Sequence, residues 1–254
     1  YNYGEAKNTV DPGSIAFGSW NNNQHPGDPN NPGLAYSINS PGHRVFATMS
    51  YRQEYFDFGA TTVSLFWDGS TIGNASYTFS GDLNGDGGTS NDLIYIHRDI
   101  SEMNFQTYSI TTPVAKTFTA AEQAAAWNAY IEQDKYLSAN RGKYAERGGV
   151  FLPMVFRADL SIAQEVFTDF LGKRNTLQFS VNFLNIGNLL NKNWGVGQRL
   201  VNAQPLIARP ADSQGRALYR LRNIGNQLMS TSLEQTLFQS DVYSFQFGVS
   251  YFFN

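Results

Sequence analysis

Alternation of apolar and polar residues is the most regular pattern in the chain, and it predicts β-strands. In the last segment every odd position from Tyr243 to Phe253 is apolar, and the even positions from Ser244 to Ser250 are polar or glycine. Successive side chains of a strand point to opposite faces, so this segment has one apolar and one polar face. The same alternation occurs in further segments, which are residues 44–52, 61–67, 154–166, 177–183 and 216–222. Residues 198–208 form a poorer strand, because Pro205 cannot donate a ladder hydrogen bond.

The links between these strands alternate between short and long. Short links near residues 53–58, 169–174 and 209–215 separate long segments at 5–42, 69–152, 187–197 and 223–241. Barrels of bacterial outer membranes have short periplasmic turns and long extracellular loops. With the C-terminus in the periplasm, the four long segments are predicted to be extracellular. The predicted fold is therefore all-β, a transmembrane antiparallel β-barrel wall of about seven or eight strands.

The chain is also predicted to be only part of a barrel. Counting back from the C-terminus places Tyr1–Gly4 at the outer end of an eighth strand. A strand that crosses a membrane needs roughly 9 to 11 residues, and open sheet edges are not tolerated in lipid. We therefore expect residues 1–254 to be the C-terminal part of a larger barrel whose remaining strands lie in polypeptide outside this sequence.

One long segment breaks the β pattern and predicts a helix over residues 118–138. Thr119 and Glu122 have the spacing of a capping box. Apolar residues then recur along one face, namely Ala120, Ala124, Trp127 and Ile131. Such a stripe is more typical of a helix packed over the barrel mouth than of direct ligand contact by Trp127. Trp20 and Tyr36, in another long segment, are candidates for stacking on a sugar ring or for fixing their own loop.

A candidate metal site lies in the longest of these segments. Asp82, Asn84 and Asp86 place oxygens at alternate positions before Gly87, as in loops that curl around Ca²⁺. Asp92 is available to close the coordination shell, although the twelfth position of a standard loop is Leu93. An Asx-rich turn without metal accounts for the same residues. Ca²⁺ is the one cofactor that the sequence suggests.

Composition and motifs exclude several other functions. Only 15% of residues are charged and the net charge is −3, which gives nucleic acid no basic surface to bind. The chain has no cysteine, so disulfide scaffolds and thiolate metal sites are excluded. The histidines His25, His43 and His97 are scattered and predict no zinc cluster. Because no hydrolase, metalloprotease or nucleotide-binding motif is present, an enzymatic function is disfavoured.

Charged residues on the polar faces of the predicted strands are expected to line a hydrated barrel interior or to contact an internal plug. They are Arg44, Arg52, Arg157, Arg216, Arg220 and Arg222, with Asp159 and Glu165. Polar interiors of this kind are typical of outer-membrane barrels. A selectivity device is the less common function of such charges.

Three sequence blocks resemble the C-terminal barrel of TonB-dependent outer-membrane receptors, especially the Oar-like and SusC-like branches. They are NGDGGTSNDLIYI at 84–96, YLSANRGKYAERGG at 136–149 and GKRNTLQFSVNFLNIGNLLNKNWGV at 172–196. Two positions depart from the family pattern. His97 stands where a proline is expected, and Asn254 follows Phe253 where the family commonly ends on the aromatic residue.

The resemblance implies a barrel of about 22 strands with a plugged lumen, of which this chain supplies the last third. It implies import of a large nutrient, such as an oligosaccharide or peptide, powered through TonB. The implied partners are outer-membrane lipid, the other barrel strands and plug, TonB, and in some cases a surface lipoprotein. One alternative is a structural or assembly barrel that docks surface lipoproteins. Another is a soluble all-β glycan-binding or adhesin module with Trp20, Tyr36 and Trp127 as ligand platforms.

Overall fold

The main sheet contains six antiparallel strands whose order in the sheet follows their order in the chain. The computed structural model describes residues 1–11, 13, 15–170 and 173–253. The strands are β1 Asn2–Gly4, β2 Gly42–Tyr55, β3 Gly59–Thr71, β4 Met154–Phe170, β5 Lys173–Leu184 and β6 Ser244–Phe252. A short 3-10 turn, Phe56–Phe58, joins β2 to β3. Residues 171 and 172, in the predicted link between β4 and β5, lie outside the described residues.

The register of the sheet places the alternating apolar positions on one face. One row across five strands is Met49, Leu65, Leu160, Phe183 and Phe245. The adjacent row, on the opposite face, is Ser50, Ser64, Ser161, Asn182 and Gln246. A slip of one residue in any pair would mix these two sets. The sequence pattern of each strand therefore agrees with that of its neighbours.

The apolar face of the sheet is exposed. Phe179 is 47% exposed, Phe245 is 46% exposed and Phe247 is 80% exposed. These rings are not buried between two stacked sheets, as they would be in a β-sandwich. Strands make up most of the regular structure, so the predicted all-β class is confirmed. No helix in the described part of the chain is both long enough and apolar enough to cross a membrane.

Two predicted wall strands, residues 198–208 and 216–222, do not lie in the main sheet. Leu206–Arg209 pairs with Leu218–Leu221, and with Phe79–Ser80 in parallel. Leu206 and Leu221 are fully buried in a separate core, so their alternation reflects burial against protein. The prediction of seven wall strands is thus corrected, because two of them lie outside the main sheet. The predicted loops 187–197 and 223–241 and the two strands between them belong to one segment, residues 185–243. Neighbouring strands of the sheet are antiparallel, so removing two strands from the predicted wall leaves β6 running in its predicted direction.

Three long segments leave the sheet at the same end, and together they are called the cap. They are residues 5–41, 72–153 and 185–243, since Gly4 pairs with Gly42, Thr71 with Met154 and Leu184 with Ser244. The helices of the cap are α1 Ala16–Asn21, α2 Ala120–Gln133, α3 Lys135–Ala139 and α4 Ile186–Leu190, with 3-10 turns at Ile100–Glu102 and Gln239–Asp241. Its short strands are Lys7–Asn8, Ala35–Tyr36, Asn74–Ala75, Phe79–Ser80, Tyr95–Ile96, Tyr108–Ile110, Lys116–Phe118, Lys143–Tyr144, Val150–Phe151, Gln198–Leu200, Leu206–Arg209, Leu218–Leu221, Asn223–Ile224, Gln227–Leu228 and Leu233–Gln235.

Helix α2 is at the centre of the cap and begins as predicted. The Thr119 hydroxyl accepts the Glu122 amide, and the Glu122 carboxylate accepts the Thr119 amide, which completes a capping box. The buried face of the helix consists of Gln123, Ala124, Trp127, Tyr130 and Ile131. This face packs against the core that also contains Tyr77, Ile94 and Leu206. The cap therefore has a hydrophobic core of its own.

Candidate functional site

Two acidic residues and a histidine from distant parts of the cap meet in one cluster. Donor atoms of His25, Asp86 and Asp92 all lie within 4.8 Å of one another. Backbone hydrogen bonds hold the two segments side by side, because the His25 amide donates to the Asn91 carbonyl at 2.9 Å and the Leu93 amide donates to the His25 carbonyl at 3.0 Å. The cluster thus joins residues 5–41 to residues 72–153.

The turn that carries Asp86 is organised by its own side chains. The Asp82 carboxylate accepts the amides of Gly85 at 2.7 Å and Gly87 at 2.9 Å. Asn84 Oδ1 accepts the Asp86 amide at 2.9 Å, and Asp86 Oδ1 accepts the Gly88 amide at 2.7 Å. These contacts are Asx turns, which curl the chain so that alternate side chains lie on its inner side.

Burial sets the electrostatics of the cluster. His25 is 1% exposed and Asp92 is 4% exposed. Burial raises the pKa of Asp92 and the neighbouring Asp86 carboxylate raises it further, although the Leu83 amide opposes the shift. Burial also acts to raise the pKa of Asp86, but hydrogen bonds from Gly88, Asn84 and Asn91 outweigh it and lower that pKa. Within the described residues, neither carboxylate forms an ion pair with a lysine or arginine, and His25 is the basic partner of Asp86.

Asn91 completes the cluster and has an unusual environment. Its side chain is 3% exposed, and its Nδ2 lies 3.0 Å from Asp86 Oδ2 and 3.2 Å from His25 Nε2. Its Oδ1 is buried and has no hydrogen-bond partner among the described residues. The amide lies against Gly88, where an added Cβ would meet Asn91 Nδ2 at 2.2 Å. Glycine at position 88 is therefore what allows Asn91 to reach the cluster.

The predicted metal residues are only partly brought together. Asp86 and Asp92 meet, whereas the carboxylate of Asp82 and the Oδ1 of Asn84 accept hydrogen bonds within their own turn. His25 lies in the cluster with Asp86 and Asp92 and without either of the other two histidines. Its hydrogen bond with Asp86 spans 61 positions of the chain, and no local pattern signals such a contact.

The aromatic ligand candidates do not share a site. Trp127 is fully buried, and its Nε1 donates to His97 Nδ1 at 3.1 Å, so the packing alternative holds and ligand contact from solvent is excluded. Tyr36 has Lys7 Nζ 4.4 Å from its ring centroid and an edge contact with Phe151 at 5.0 Å. Trp20, on α1, is 50% exposed. Of the three, Trp20 is the ring that remains open to a ligand.

His97, at the position where the resemblance predicts proline, belongs to the core of the cap. Its Nε2 hydrogen-bonds the Tyr219 hydroxyl, and its Nδ1 accepts the Trp127 indole N–H. Burial lowers the pKa of His97 to about 4. The imidazole is therefore neutral at physiological pH, and its two hydrogen bonds connect α2 to residues 218–221.

The charged residues of the polar face form ion pairs across strands. Arg44 contacts Asp68 at 2.8 Å, and Arg52 contacts Glu165 at 2.6 Å. At the cap end, Arg157 contacts Asp241 at 3.0 Å, and Asp159 accepts the Asn185 amide at 2.7 Å. The other three arginines predicted on this face, Arg216, Arg220 and Arg222, lie in the cap, where they contact Asp212, Gln106 and the Gln204 carbonyl.

Comparison with known proteins found no relative of this chain. No family model, no curated protein and no solved structure matches the chain. Function is therefore inferred from the sheet and the cap themselves. The likeness of the three sequence blocks to TonB-dependent receptors remains an expectation from the sequence.

Proposed function

We propose that this chain forms part of the wall of an outer-membrane β-barrel of the TonB-dependent receptor type, which imports a large nutrient such as an oligosaccharide or peptide. The observation that carries the proposal is the largely apolar face of the main sheet, on which Gln53, Thr61 and Gln164 form one polar row. The row from Met49 to Phe245 is apolar in all five long strands. Lipid chains are the surroundings in which such a face is stable without a second protein layer.

The free energy of the exposed face supports a lipid environment. Burial of apolar surface stabilises a protein by roughly 25 cal/mol per Å². Phe247 is 80% exposed and Val249 is 68% exposed, so in water this stabilisation would be lost along the whole strand. Large continuous apolar patches on proteins are typical of membrane or protein contact. The soluble glycan-binding alternative needs a cover over these rings, and the exposure of Phe179 and Phe245 disfavours it.

The edges of the sheet support a larger barrel. Strands β1 and β6 are the edges of the main sheet, and each pairs with one neighbouring strand. The backbone N–H and C=O groups on the outer side of each edge strand therefore have no partner within the sheet. Unpaired strand edges are costly in lipid, and closed barrels avoid them. In our proposal, further strands of the same receptor pair with both edges, in a barrel of about 22 strands.

The polar face and the cap have complementary places in this arrangement. The polar face, with its Arg44–Asp68 and Arg52–Glu165 pairs, lines a hydrated interior that holds the plug. The cap leaves the sheet at the end opposite the short turns, which in outer-membrane barrels is the extracellular end. The cap then shapes the outer mouth, contacts substrate and offers a surface to lipoprotein partners. The plug and TonB drive transport from other parts of the receptor.

The membrane assignment is tested by spin labels on neighbouring residues of β5. Residues 1–254 contain no cysteine, so Phe179→Cys and Gln178→Cys each introduce one labelling site into this part of the protein, on opposite faces of β5. In the intact protein in bilayers, the label at 179 is expected to be relaxed by oxygen, which dissolves in lipid. The label at 178 is expected to be relaxed by a water-soluble nickel chelate. Equal relaxation by the nickel chelate at both sites would contradict a lipid-facing wall.

Transport is tested separately in cells that make the intact protein. Uptake of fluorescent oligosaccharides or peptides is expected to stop when TonB is deleted or the proton gradient is collapsed. Stable copurification of surface lipoproteins without any uptake would support the structural-barrel alternative. In that case the membrane assignment stands and the transport proposal fails.

A further inference from the structure

An apolar cavity lies where the main sheet meets the cap. The sheet contributes Trp67 and Phe156, whose rings stack with their centroids 5.6 Å apart. The cap contributes Ile186 and Leu190 of α4, together with Trp194. The cavity has a volume of about 660 Å³ and is called the groove. Its size is within the range of pockets that bind small molecules.

The groove exists because one side of β4 is left open near the cap. Strand β3 pairs with β4 as far as Met154, whereas β5 pairs with β4 only as far as Leu160. Beyond Leu160 the cap lies beside β4 in place of a strand, and Arg157 Nε donates to the Gly195 carbonyl at 3.0 Å. Irregular chain fills the side of a strand less completely than a neighbouring strand does, so space remains next to β4.

The apolar side chains around the groove are not covered by protein. Leu190 is 75% exposed, Trp194 is 55% exposed and Phe156 is 48% exposed. Exposed apolar surface costs roughly 25 cal/mol per Å², so an apolar ligand gains free energy here. Arg157, one of the polar residues of the lining, is paired with Asp241 at 3.0 Å. The groove therefore favours a hydrocarbon chain over a charged group.

The groove is continuous with the apolar face of the main sheet. Phe156 lies four positions from Leu160 along β4, and Trp67 lies two positions from Leu65 along β3. Even separations place side chains on the same face of a strand. Both rings are thus on the face that carries the apolar row, and a ligand that covers this face has access to the groove.

The position of the groove along the strands corresponds to one boundary of a membrane. The turn at Phe56–Phe58 is followed by Gly59, which pairs with Val166. Phe156 lies ten positions from Val166 along β4, which is about 25 Å of height for a strand tilted as in outer-membrane barrels. The apolar band of such barrels is about 25 Å tall and has aromatic residues at both edges. The groove is therefore placed where acyl chains meet headgroups.

A basic side chain lies close to the groove in the chain. Lys192 is two positions from Leu190 and two from Trp194, both of which line the groove. Its side chain is exposed and forms no ion pair within the described residues. Arg199, the next basic residue, is paired with Glu234 at 2.8 Å. Lysines near a membrane surface attract anionic lipids, so the charge of Lys192 complements a lipid phosphate.

We propose that the groove binds an acyl chain of an anionic lipid from the surrounding membrane, and that Lys192 contacts the phosphate of the same lipid. The chain lies against the rings of Phe156 and Trp194, and it joins α4 of the cap to β4 of the wall. This inference rests on the proposed membrane location of the sheet. It goes further, because it assigns a lipid site that is built partly by the cap.

The proposal is tested by lipid titration of the intact, delipidated protein in detergent, followed by native mass spectrometry. Phosphatidylglycerol is expected to bind saturably. Leu190→Asp places a carboxylate in the groove and is expected to weaken binding by about tenfold. The control is Leu237→Asp, because Leu237 is a 97% exposed residue of the cap outside the groove. Binding by Leu190→Asp as tight as by the control would overturn the proposal.

The contact with the headgroup is tested by the choice between two lipids. Lys192→Gln is expected to reduce the preference for phosphatidylglycerol over zwitterionic phosphatidylcholine by about fivefold. Lys143→Gln is the control, since Lys143 is an exposed lysine of the cap outside the groove. Unchanged hydrogen exchange in α2 shows that each variant is folded. An equal reduction in both variants would show a general charge effect and overturn the role of Lys192.

A photoreactive side chain identifies the occupant in a bilayer. Leu190→benzoylphenylalanine in the intact protein, in nanodiscs that contain phosphatidylglycerol, is expected to form a lipid adduct on illumination. A crosslink to another polypeptide without a lipid adduct would make the groove a protein-docking site and overturn the proposal. If the spin label at 179 reports lipid while position 190 forms no lipid adduct, the wall assignment stands and this inference alone fails. If neither position contacts lipid, both fail.

Discussion

The main sheet and the cap place their large apolar side chains in opposite environments. In the cap, Trp127, Tyr77 and Ile94 are 0% exposed and pack together in one core. In the sheet, Phe247 is 80% exposed, although it lies in as regular an alternation as any residue of the chain. The cap is stabilised by protein contacts within the described residues, whereas one face of the sheet requires an external apolar partner. Under our proposal that partner is lipid.

The largest expected effect is loss of the central ring of the cap. Trp127→Ala removes a fully buried side chain and the donor to His97 Nδ1. Large-to-small changes of this kind cost about 3–5 kcal/mol. Native-state hydrogen exchange of α2 in the intact protein measures the loss. The control is Trp194→Ala, since Trp194 is 55% exposed, and its effect is expected to be small.

If both tryptophan variants lower protection of α2 equally, the cap does not have a hydrophobic core that is independent of the sheet. Protection in β4 and β5 is expected to change little in either variant. A uniform loss across sheet and cap would show that the two regions unfold as one unit.

The next effect separates the two faces of the sheet. Phe179→Lys puts an ammonium group on the apolar face, where a charge at the bilayer midplane costs about 2–4 kcal/mol. Gln178→Lys is the matched control, because Gln178 lies on the polar face and already donates to Glu165 at 3.3 Å. Urea titration of the intact protein folded into liposomes measures both free energies of unfolding. Equal losses in the two variants would contradict opposite environments for the two faces.

The sequence was sufficient to predict the sheet because its strands obey one local rule. Residues 154–166 and 177–183 alternate as they do in β4 and β5, and the register then aligns Leu160 with Phe183. The capping box at Thr119 and Glu122 was equally accessible, because it depends on residues three positions apart. Local periodicity and local hydrogen bonds are what a single sequence records.

The same rule failed where alternation arises from a protein core. Residues 216–222 alternate, yet Tyr219 and Leu221 are buried in the cap and not in the wall. Period-2 alternation reports two unlike surroundings, and it does not report whether the apolar one is protein or lipid. The His25 contact was inaccessible for another reason, because segments 61 positions apart meet only in the folded cap.

A smaller effect is the response of the cap to acid. Burial lowers the pKa of His97 to about 4 from an ordinary value of 6.5, so the unfolded chain takes up a proton at higher pH than the folded chain. The contribution of neutral His97 to stability is complete above pH 6.5 and is lost as the pH falls toward 4. The loss reaches up to about 3 kcal/mol at the acid end of this window.

Hydrogen exchange of α2 between pH 7 and pH 4, corrected for the intrinsic exchange rate, measures this loss. His97→Gln cannot take up the proton and is expected to flatten the dependence over the same window. Strand amides of β4 in the same samples serve as the internal control. A dependence in His97→Gln as steep as that of the parent protein would assign the acid sensitivity to another group.

The smallest expected effect tests whether the stability of α2 depends on its N-terminal capping box or on its buried face. Thr119→Ala removes the hydroxyl that accepts the Glu122 amide at 3.2 Å but leaves the Glu122 carboxylate bound to the amide of residue 119 at 2.8 Å. Half of the capping box persists, so the loss is expected to be about 1 kcal/mol and confined to the first turn. Thr231→Ala, at an exposed threonine of the cap, is the control and is expected to change nothing there. If Thr119→Ala destabilised α2 as much as Trp127→Ala does, burial of Trp127 would depend on an ordered first turn of the helix. The first turn would then be required for the cap to form.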